Sequence, residues 1–149
     1  MSNIQRKTMH VTFNHYGYVT KNIERFERFW CDILGYKLLR ESKVNPDLCE
    51  VLFGFRSGGT IRRYENPKLG PDVEIHVFDN TEVEQYKFNR FGINHICLET
   101  GYPGSRKEFV DKLPRDITVK IFNNPKGWKN YFIQDYDGNW IELREDIRS

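Results

Sequence analysis

The sequence predicts an α+β fold made of two copies of one module, each a strand, a helix and three further strands. Three observations carry the prediction. Asn14-His15 and Thr20 recur as Asn94-His95 and Thr100, at identical offsets and 80 positions apart. Each copy is followed by a helix signal and then by strand signals. Each half closes on a short strand bearing a carboxylate, Val73-Glu74-Ile75 in the first and Ile141-Glu142-Leu143 in the second. Self-similarity at a fixed offset is the mark of a repeated supersecondary unit.

The first module runs from about residue 9 to 80. Met9 to Thr20 is rich in Val, Thr, Phe and Tyr and places Phe13, His15, Gly17 and Val19 on one face of a strand. Asn22 offers a helix cap, and Ile23, Phe26, Phe29, Trp30, Ile33 and Leu34 follow at helical spacing until Gly35. That aromatic stripe is read as packing on a sheet. Tyr36 to Val44 reads as a strand, Asn45-Pro46-Asp47 as a turn, and Cys49 to Arg56 as another strand. Thr60 to Glu65 reads as a further strand, and extended structure resumes at Asp72 to Phe78 after two proline-containing breaks. A linker over about 81–92 opens with Thr81 and Glu84 in the form of a capping box, predicting a short helix to about Phe88.

The second module, about 93–145, repeats the plan with shorter parts. Ile93 to Glu99 is a strand, and Ser105 with Glu108 forms a second capping box that opens a helix ending at Pro114. Ile117 to Phe122, Trp128 to Gln134 and Trp140 to Arg144 are strands, the last two joined by the turn Asp135 to Asn139.

At 149 residues the chain is expected to form one domain over 1–149 with a sizeable core. Its formal charge of +2 comes from interspersed acids and bases with no run of like charge, so nucleic acid and membranes find no electrostatic support as partners. A small-molecule substrate remains. Cys31, Cys49 and Cys97 lack the spacing of a zinc knuckle or redox motif and are read as reduced thiols of a cytoplasmic protein. Met1 to Thr8 lacks the apolar core of a signal peptide, and no run reaches the length of a spanning helix.

If the modules pair about a pseudo-twofold axis, His15 becomes equivalent to His95 and Glu74 to Glu142. Two imidazoles and two carboxylates around one point form a mixed nitrogen and oxygen environment for a divalent metal ion such as Zn, Ni, Co, Mn or Fe(II). The histidines lie 80 apart and the glutamates 68, so the first half carries about twelve extra residues, which the sequence places in the segment Thr60 to Pro71. Glu142 sits on an otherwise apolar strand, where a carboxylate needs a partner. Glu74 is less firmly fixed. His76 shares its face, and a register that makes Thr60 to Glu65 the equivalent strand would place Arg63 at the site and leave three ligands. Arg62, Arg63, Lys126 and Lys129 offer charges for an anionic substrate group, Tyr16, Tyr18, Trp128 and Trp140 offer cavity walls, and His10 is read as exposed.

The Asn14-His15 strand, the Phe29-Trp30 to Leu34-Gly35-Tyr36 helix end, Asn94-His95 and the segment Asp135 to Leu143 resemble the vicinal oxygen chelate superfamily. That group includes glyoxalase I, methylmalonyl-CoA epimerase, fosfomycin-resistance proteins, extradiol dioxygenases and bleomycin-resistance proteins. The resemblance covers nearly the whole chain and implies paired βαβββ modules in an open half-barrel of mixed sheet around a divalent metal, often in a homodimer. By position it puts metal ligands on His15, Glu74, His95 and Glu142, closest to glyoxalase I and the epimerase. It thereby implies a lyase or isomerase that abstracts a proton next to a carbonyl with a metal-stabilised enolate, using Glu142 and Glu74 as acid and base. Three ligands instead of four would suit an Fe(II) ring-cleaving dioxygenase. The superfamily also holds fosfomycin-type thiol transferases and metal-free proteins that sequester antibiotics.

Overall fold

The computed structural model describes residues 11–82, 88–89, 92–123, 125–127 and 129–145. The first half contains β1 (His15–Val19), α1 (Ile23–Trp30), β2 (Lys37–Lys43), α2 (Pro46–Phe53), β3 (Gly59–Glu65) and β4 (Asp72–Phe78). The second contains β5 (Ile96–Glu99), α3 (Ser105–Asp111), β6 (Val119–Asn123), β7 (Lys129–Gln134) and β8 (Trp140–Arg144).

Each half builds one four-stranded mixed sheet, ordered β1-β4-β3-β2 and β5-β8-β7-β6. In both, the opening strand pairs in parallel with the closing strand, and the remaining pairings are antiparallel. This is the α+β architecture of duplicated modules that the sequence predicts, with no closed barrel.

Alternation along the strands decides which face is buried. Val73 and Ile75 of β4, Tyr64 of β3, Ile133 of β7 and Ile141 and Leu143 of β8 are sealed from solvent. They join Phe26, Phe29 and Trp30 of α1 in one hydrophobic core that draws on both halves. The stripe forms because residues three and four apart share a helix face. Asn22 caps that helix through its side-chain oxygen, which accepts from the Arg25 amide at 3.0 Å. Trp30 stacks on Phe26 at 5.7 Å and meets the edges of Phe29 and Tyr36. Burial of each such ring contributes about 1.5–3 kcal/mol. Polar contacts also tie the halves: the Thr20 hydroxyl donates to Asp137 at 2.8 Å, and Arg28 pairs with Asp116 at 2.7 Å.

Residues 46–53 are a helix, where the sequence reads a turn and then a strand from Cys49 to Arg56. Asn45 is its cap, accepting from the Asp47 and Leu48 amides at 2.9 and 3.2 Å, Pro46 opens its first turn, and Gly54 closes it with φ of 77°. Those are helix punctuation. Only Cys49 of this helix is buried, so no packed stripe announces it. The extra length of the first half therefore lies in residues 44–58, between β2 and β3, and not in Thr60 to Pro71.

At α3 the cap is Gly104, with φ of 92° and no side-chain cap bond. Ser105 is already helical, and its hydroxyl reaches back to Thr100 at 2.9 Å, while Glu108 accepts from the Tyr102 hydroxyl at 2.8 Å. The expected box is not formed. The linker helix drawn from Thr81 falls mainly on 83–87, outside the described residues.

Candidate functional site

Burial of Val73 and Ile75 turns Asp72, Glu74 and His76 to the opposite face of β4, and burial of Ile141 and Leu143 does the same for Trp140, Glu142 and Arg144 of β8. The register then reveals the equivalence. Gly17, two residues after His15, is the Cα partner of Glu74, and Cys97, two residues after His95, is the Cα partner of Glu142. His15 is the first residue of β1, and His95 directly precedes β5, which begins at Ile96 and not at Ile93.

The repeated Asn-His dipeptide has a physical reason. His15 Nδ1 is 2.9 Å from Asn14 Oδ1, and His95 Nδ1 is 2.6 Å from Asn94 Oδ1. An amide oxygen only accepts, so in the neutral imidazole each Nδ1 carries the proton and each Nε2 has the lone pair. His15 Nε2 faces Glu74 Oε1 at 3.8 Å, and His95 Nε2 faces Glu142 Oε2 at 3.5 Å. Both distances exceed a hydrogen bond, and both atoms are acceptors. Such a gap between electron donors is what a bound cation or a shared proton fills. A fixed Nδ1–H partner is also the arrangement that orients a metal-binding imidazole.

Asn14 is itself held, because Arg63 donates to its Oδ1 at 2.7 Å and to Asp72 Oδ2 at 2.7 Å. Arg63 thus stands beside Glu74 on the neighbouring strand and supports the site; it does not replace the glutamate. His76 Nε2 lies 3.2 Å from Glu74 Oε1, and Arg40 Nη2 lies 3.5 Å from Glu74 Oε2. On the other sheet, Phe88 stacks on the His95 ring at 5.9 Å, and Phe132 meets that ring edge-on at 5.4 Å. Trp140 extends this aromatic wall, with the Lys120 ammonium 4.9 Å from its ring centre.

The described structure brings the four expected ligands into two pairs, His15 with Glu74 and His95 with Glu142. Among the described residues no group of three or more His, Cys, Asp or Glu stands where it could hold a metal ion. A cavity of about 180 Å³ runs between β1 and His95, lined by Tyr16, Gly17, Tyr18, Asn94, His95 and Trp140 among others. His10 and Trp128 lie outside the described residues. Arg62 turns toward the core side and is engaged by Glu41 and Glu27 at 2.6 and 2.8 Å. All three cysteines are free thiols. Burial, followed by the Glu142 carboxylate, pushes the Cys97 thiol up to about 11 and keeps it protonated at neutral pH. Sequence reasoning passed over Arg40, Phe88, Phe132 and Cys97. Period-two alternation from His95 marks Cys97, and hairpin pairing across the Asp135 to Asn139 turn sets Phe132 opposite Glu142, whereas Arg40 and Phe88 enter only through tertiary folding.

With this geometry in place, relatives can be compared. The family profile described as Glyoxalase/Bleomycin resistance protein/Dioxygenase superfamily matches residues 12–143, and the chain belongs to that superfamily. The protein YwbC of Bacillus subtilis (strain 168), itself uncharacterised, is 24% identical over 132 residues, spanning 87% of this chain and 94% of YwbC. Among solved structures, a glyoxalase family protein from Bacillus cereus superposes with a TM-score of 0.71 at 14% identity, covering 94% of this chain and 97% of its own. The trypanothione-dependent glyoxalase I of Leishmania major gives 0.63 at 19% identity, covering 92% and 88%. The fosfomycin resistance protein FosX of Listeria monocytogenes gives 0.62 at 14% identity, covering 92% and 94%. At these identities the structural likeness establishes the fold. Among the described residues no helix is long and apolar enough to cross a membrane.

Proposed function

We propose that this chain is a divalent-metal-dependent lyase or isomerase, similar to glyoxalase I or an epimerase, that removes a proton next to a carbonyl of a small-molecule substrate. Its ligands in this reading are His15, Glu74, His95 and Glu142. The observation that carries it is the paired gap: in both halves, at equivalent register, an imidazole Nε2 with its tautomer fixed by an asparagine faces a carboxylate oxygen beyond hydrogen-bond reach. Two neutral imidazoles and two carboxylates fit a borderline divalent ion in donor type and charge. The reading includes a cytoplasmic homodimer in which a His15–Glu74 pair and a His95–Glu142 pair close on one ion. What supports that assembly is that, among the described residues, these side chains form two pairs and no larger metal-holding group.

The bound ion would supply Lewis-acid polarisation of the substrate oxygen. The chain does the rest. Glu142 and Glu74 are mostly shielded from water, with side-chain exposures of 25% and 15%. In this reading Glu142 takes the proton from one side of the substrate carbon, and Glu74, entering the step protonated, gives its own proton to the opposite side. Phe88, Phe132 and Trp140 give the reacting carbon an apolar wall beside His95.

A second reading draws on a separate observation. Glu74 is already engaged by His76 and Arg40, which would leave a set of two histidines and one carboxylate, the pattern of Fe(II) oxygenases. One experiment separates the two. Protein purified without an affinity tag is assayed for metal, for solvent-deuterium exchange into hemithioacetals and 2-substituted thioesters, and for oxygen consumption with catechols. Stoichiometric metal with exchange that disappears in Glu142→Gln is expected. Absence of stoichiometric metal overturns both readings, and oxygen uptake without exchange overturns the first.

A further inference from the structure

A second feature adjoins Glu142 at the end of the same sheet, where Asn130, Glu142 and Arg144 of the open face meet Lys129 and Arg106 from the face that carries Tyr131. A cleft of about 300 Å³ is lined by Arg106, Lys129, Asn130, Glu142, Arg144 and Glu145 among others, between the start of α3 and the strands β7 and β8. Its charge is not internally balanced. Glu145 is committed, because its Oε1 accepts from the Gly104 amide at 3.0 Å and stands 3.8 Å from Arg106 Nε. Glu142 faces His95. Among the described residues neither the Lys129 nor the Arg144 side chain pairs with a carboxylate, so two cations share the cleft without an anion of their own.

Arg106 is fixed in place. Its Nη1 donates to the Lys129 carbonyl at 2.9 Å, and its guanidinium lies 4.3 Å over the Tyr131 ring. Its Nε is buried and has no hydrogen-bond partner. A buried donor left unmade costs about 1–3 kcal/mol, a cost that a bound acceptor would recover. A guanidinium held on an aromatic face is preorganised for a planar oxyanion, and less side-chain entropy is lost on binding.

We propose that this cleft is the anion subsite of the substrate, so that the enzyme acts on a carbonyl compound bearing a carboxylate or phosphate some distance from its reacting carbon. Glu142 and Arg144 are two residues apart on β8 with side chains on one face, hence roughly 7 Å apart along the strand. That spacing corresponds to about four to six covalent bonds. The anion seats at the strand ends among Arg106, Lys129 and Arg144 with Asn130 at its edge, and the reacting carbon then lies at Glu142 against Phe132. A neutral substrate of the same shape leaves both cations unsatisfied and binds less well. The placement of the reacting carbon rests on the reading of Glu142 above; the anion site does not.

The test uses metal-free full-length protein titrated calorimetrically with inorganic phosphate and, separately, with glutarate. Saturable binding of either, weakened about tenfold or more in Lys129→Gln/Arg144→Gln and within twofold of wild type in Lys43→Gln, is the expected result; circular dichroism checks folding. Preference for phosphate identifies a phosphorylated substrate, and preference for glutarate a carboxylic acid. No saturable binding of either anion, or equal binding by the double variant, overturns the subsite. Cobalt(II) affinity is measured in parallel. Loss of cobalt binding with anion binding intact removes the metal reading alone, and the reverse removes the subsite alone.

Discussion

Glu74 lies beside Gly17 across β1 and β4, two residues beyond His15, in the register that Glu142 takes beside Cys97 two residues beyond His95. The carboxylates are therefore equivalent even though unequal chain lengths separate them from their histidines. The difference is absorbed by residues 44–58, which carry α2 between β2 and β3, whereas only five residues separate the end of β6 at Asn123 from the start of β7 at Lys129. A parallel pairing between first and last strands fixes the register locally, and an insertion at the far end of the sheet leaves it undisturbed.

Removing a ligand should cost binding and spare the fold. A four-ligand structural zinc site holds about 10–16 kcal/mol, so each ligand of a comparable site contributes roughly 3 kcal/mol, or about a hundredfold in affinity. His15→Ala, His95→Ala and Glu142→Ala should each weaken cobalt(II) binding by at least that factor. All three side chains face away from the core, so urea unfolding should shift by less than about 1 kcal/mol. Unchanged metal affinity in His95→Ala or Glu142→Ala would remove the site.

The asparagines are predicted to matter without touching the ion. Asn94→Ala frees His95 Nδ1 and lets the ring take the other tautomer, which puts a proton where the lone pair is needed. Loss of such an outer partner costs about 10–100-fold in metal affinity. Asn14→Ala should act alike, and Arg63→Gln more weakly, since Arg63 works through Asn14. Cobalt(II) titration followed by visible absorption reads all three; equal affinity in Asn94→Ala and wild type would make the repeated dipeptide a matter of strand geometry alone.

Much of this was legible in the sequence because the signals are local or repeated. The Asn-His and Glu positions recur, strand alternation assigns their face, and glycine and asparagine punctuate the strands and α1. The helix α2 departs from the sequence expectation for a physical reason: Val51 and Phe53 are strand-favouring by propensity, and the helix holds through its caps with almost no burial. The Arg40 and Arg63 contacts join β2, β3 and β4, and the stacking of Phe88 on His95 spans a linker. No single-strand pattern encodes them.

The fourth ligand has its own discriminating variant. His76 approaches Glu74 more closely than His15 does, 3.2 against 3.8 Å, so it competes for the same carboxylate oxygen. In the four-ligand reading His76→Ala leaves metal stoichiometry at one and affinity equal or higher, whereas Glu74→Ala lowers affinity by about a hundredfold. The opposite ranking in equilibrium dialysis would assign His76 as the ligand.

The turn that leads into β8 should make stability depend on pH through Asp135. Its side chain is buried and accepts from the Asp137 and Asn139 amides at 3.0 and 2.8 Å and from Asn139 Nδ2 at 2.9 Å. Burial, opposed by the Asn139 contacts, leaves its carboxyl above the usual aspartate range. Asp137 is raised as well, by burial against the pull of the Thr20 hydroxyl. A raised native pKa means that the folded chain binds a proton before the unfolded chain does. The contribution is fully present below the unfolded value of about 3.9 and is lost as pH rises through the native one. Wild type should therefore gain stability relative to Asp135→Asn as the pH falls from 7 toward 4.5, the variant being weaker by about 1–2 kcal/mol at neutrality because its amide cannot accept all three bonds. Urea unfolding at pH 7, 5.5 and 4.5 measures the gap, and taking the difference between the two proteins cancels the titration of the histidines. A gap that stays constant or narrows on acidification would place the proton elsewhere.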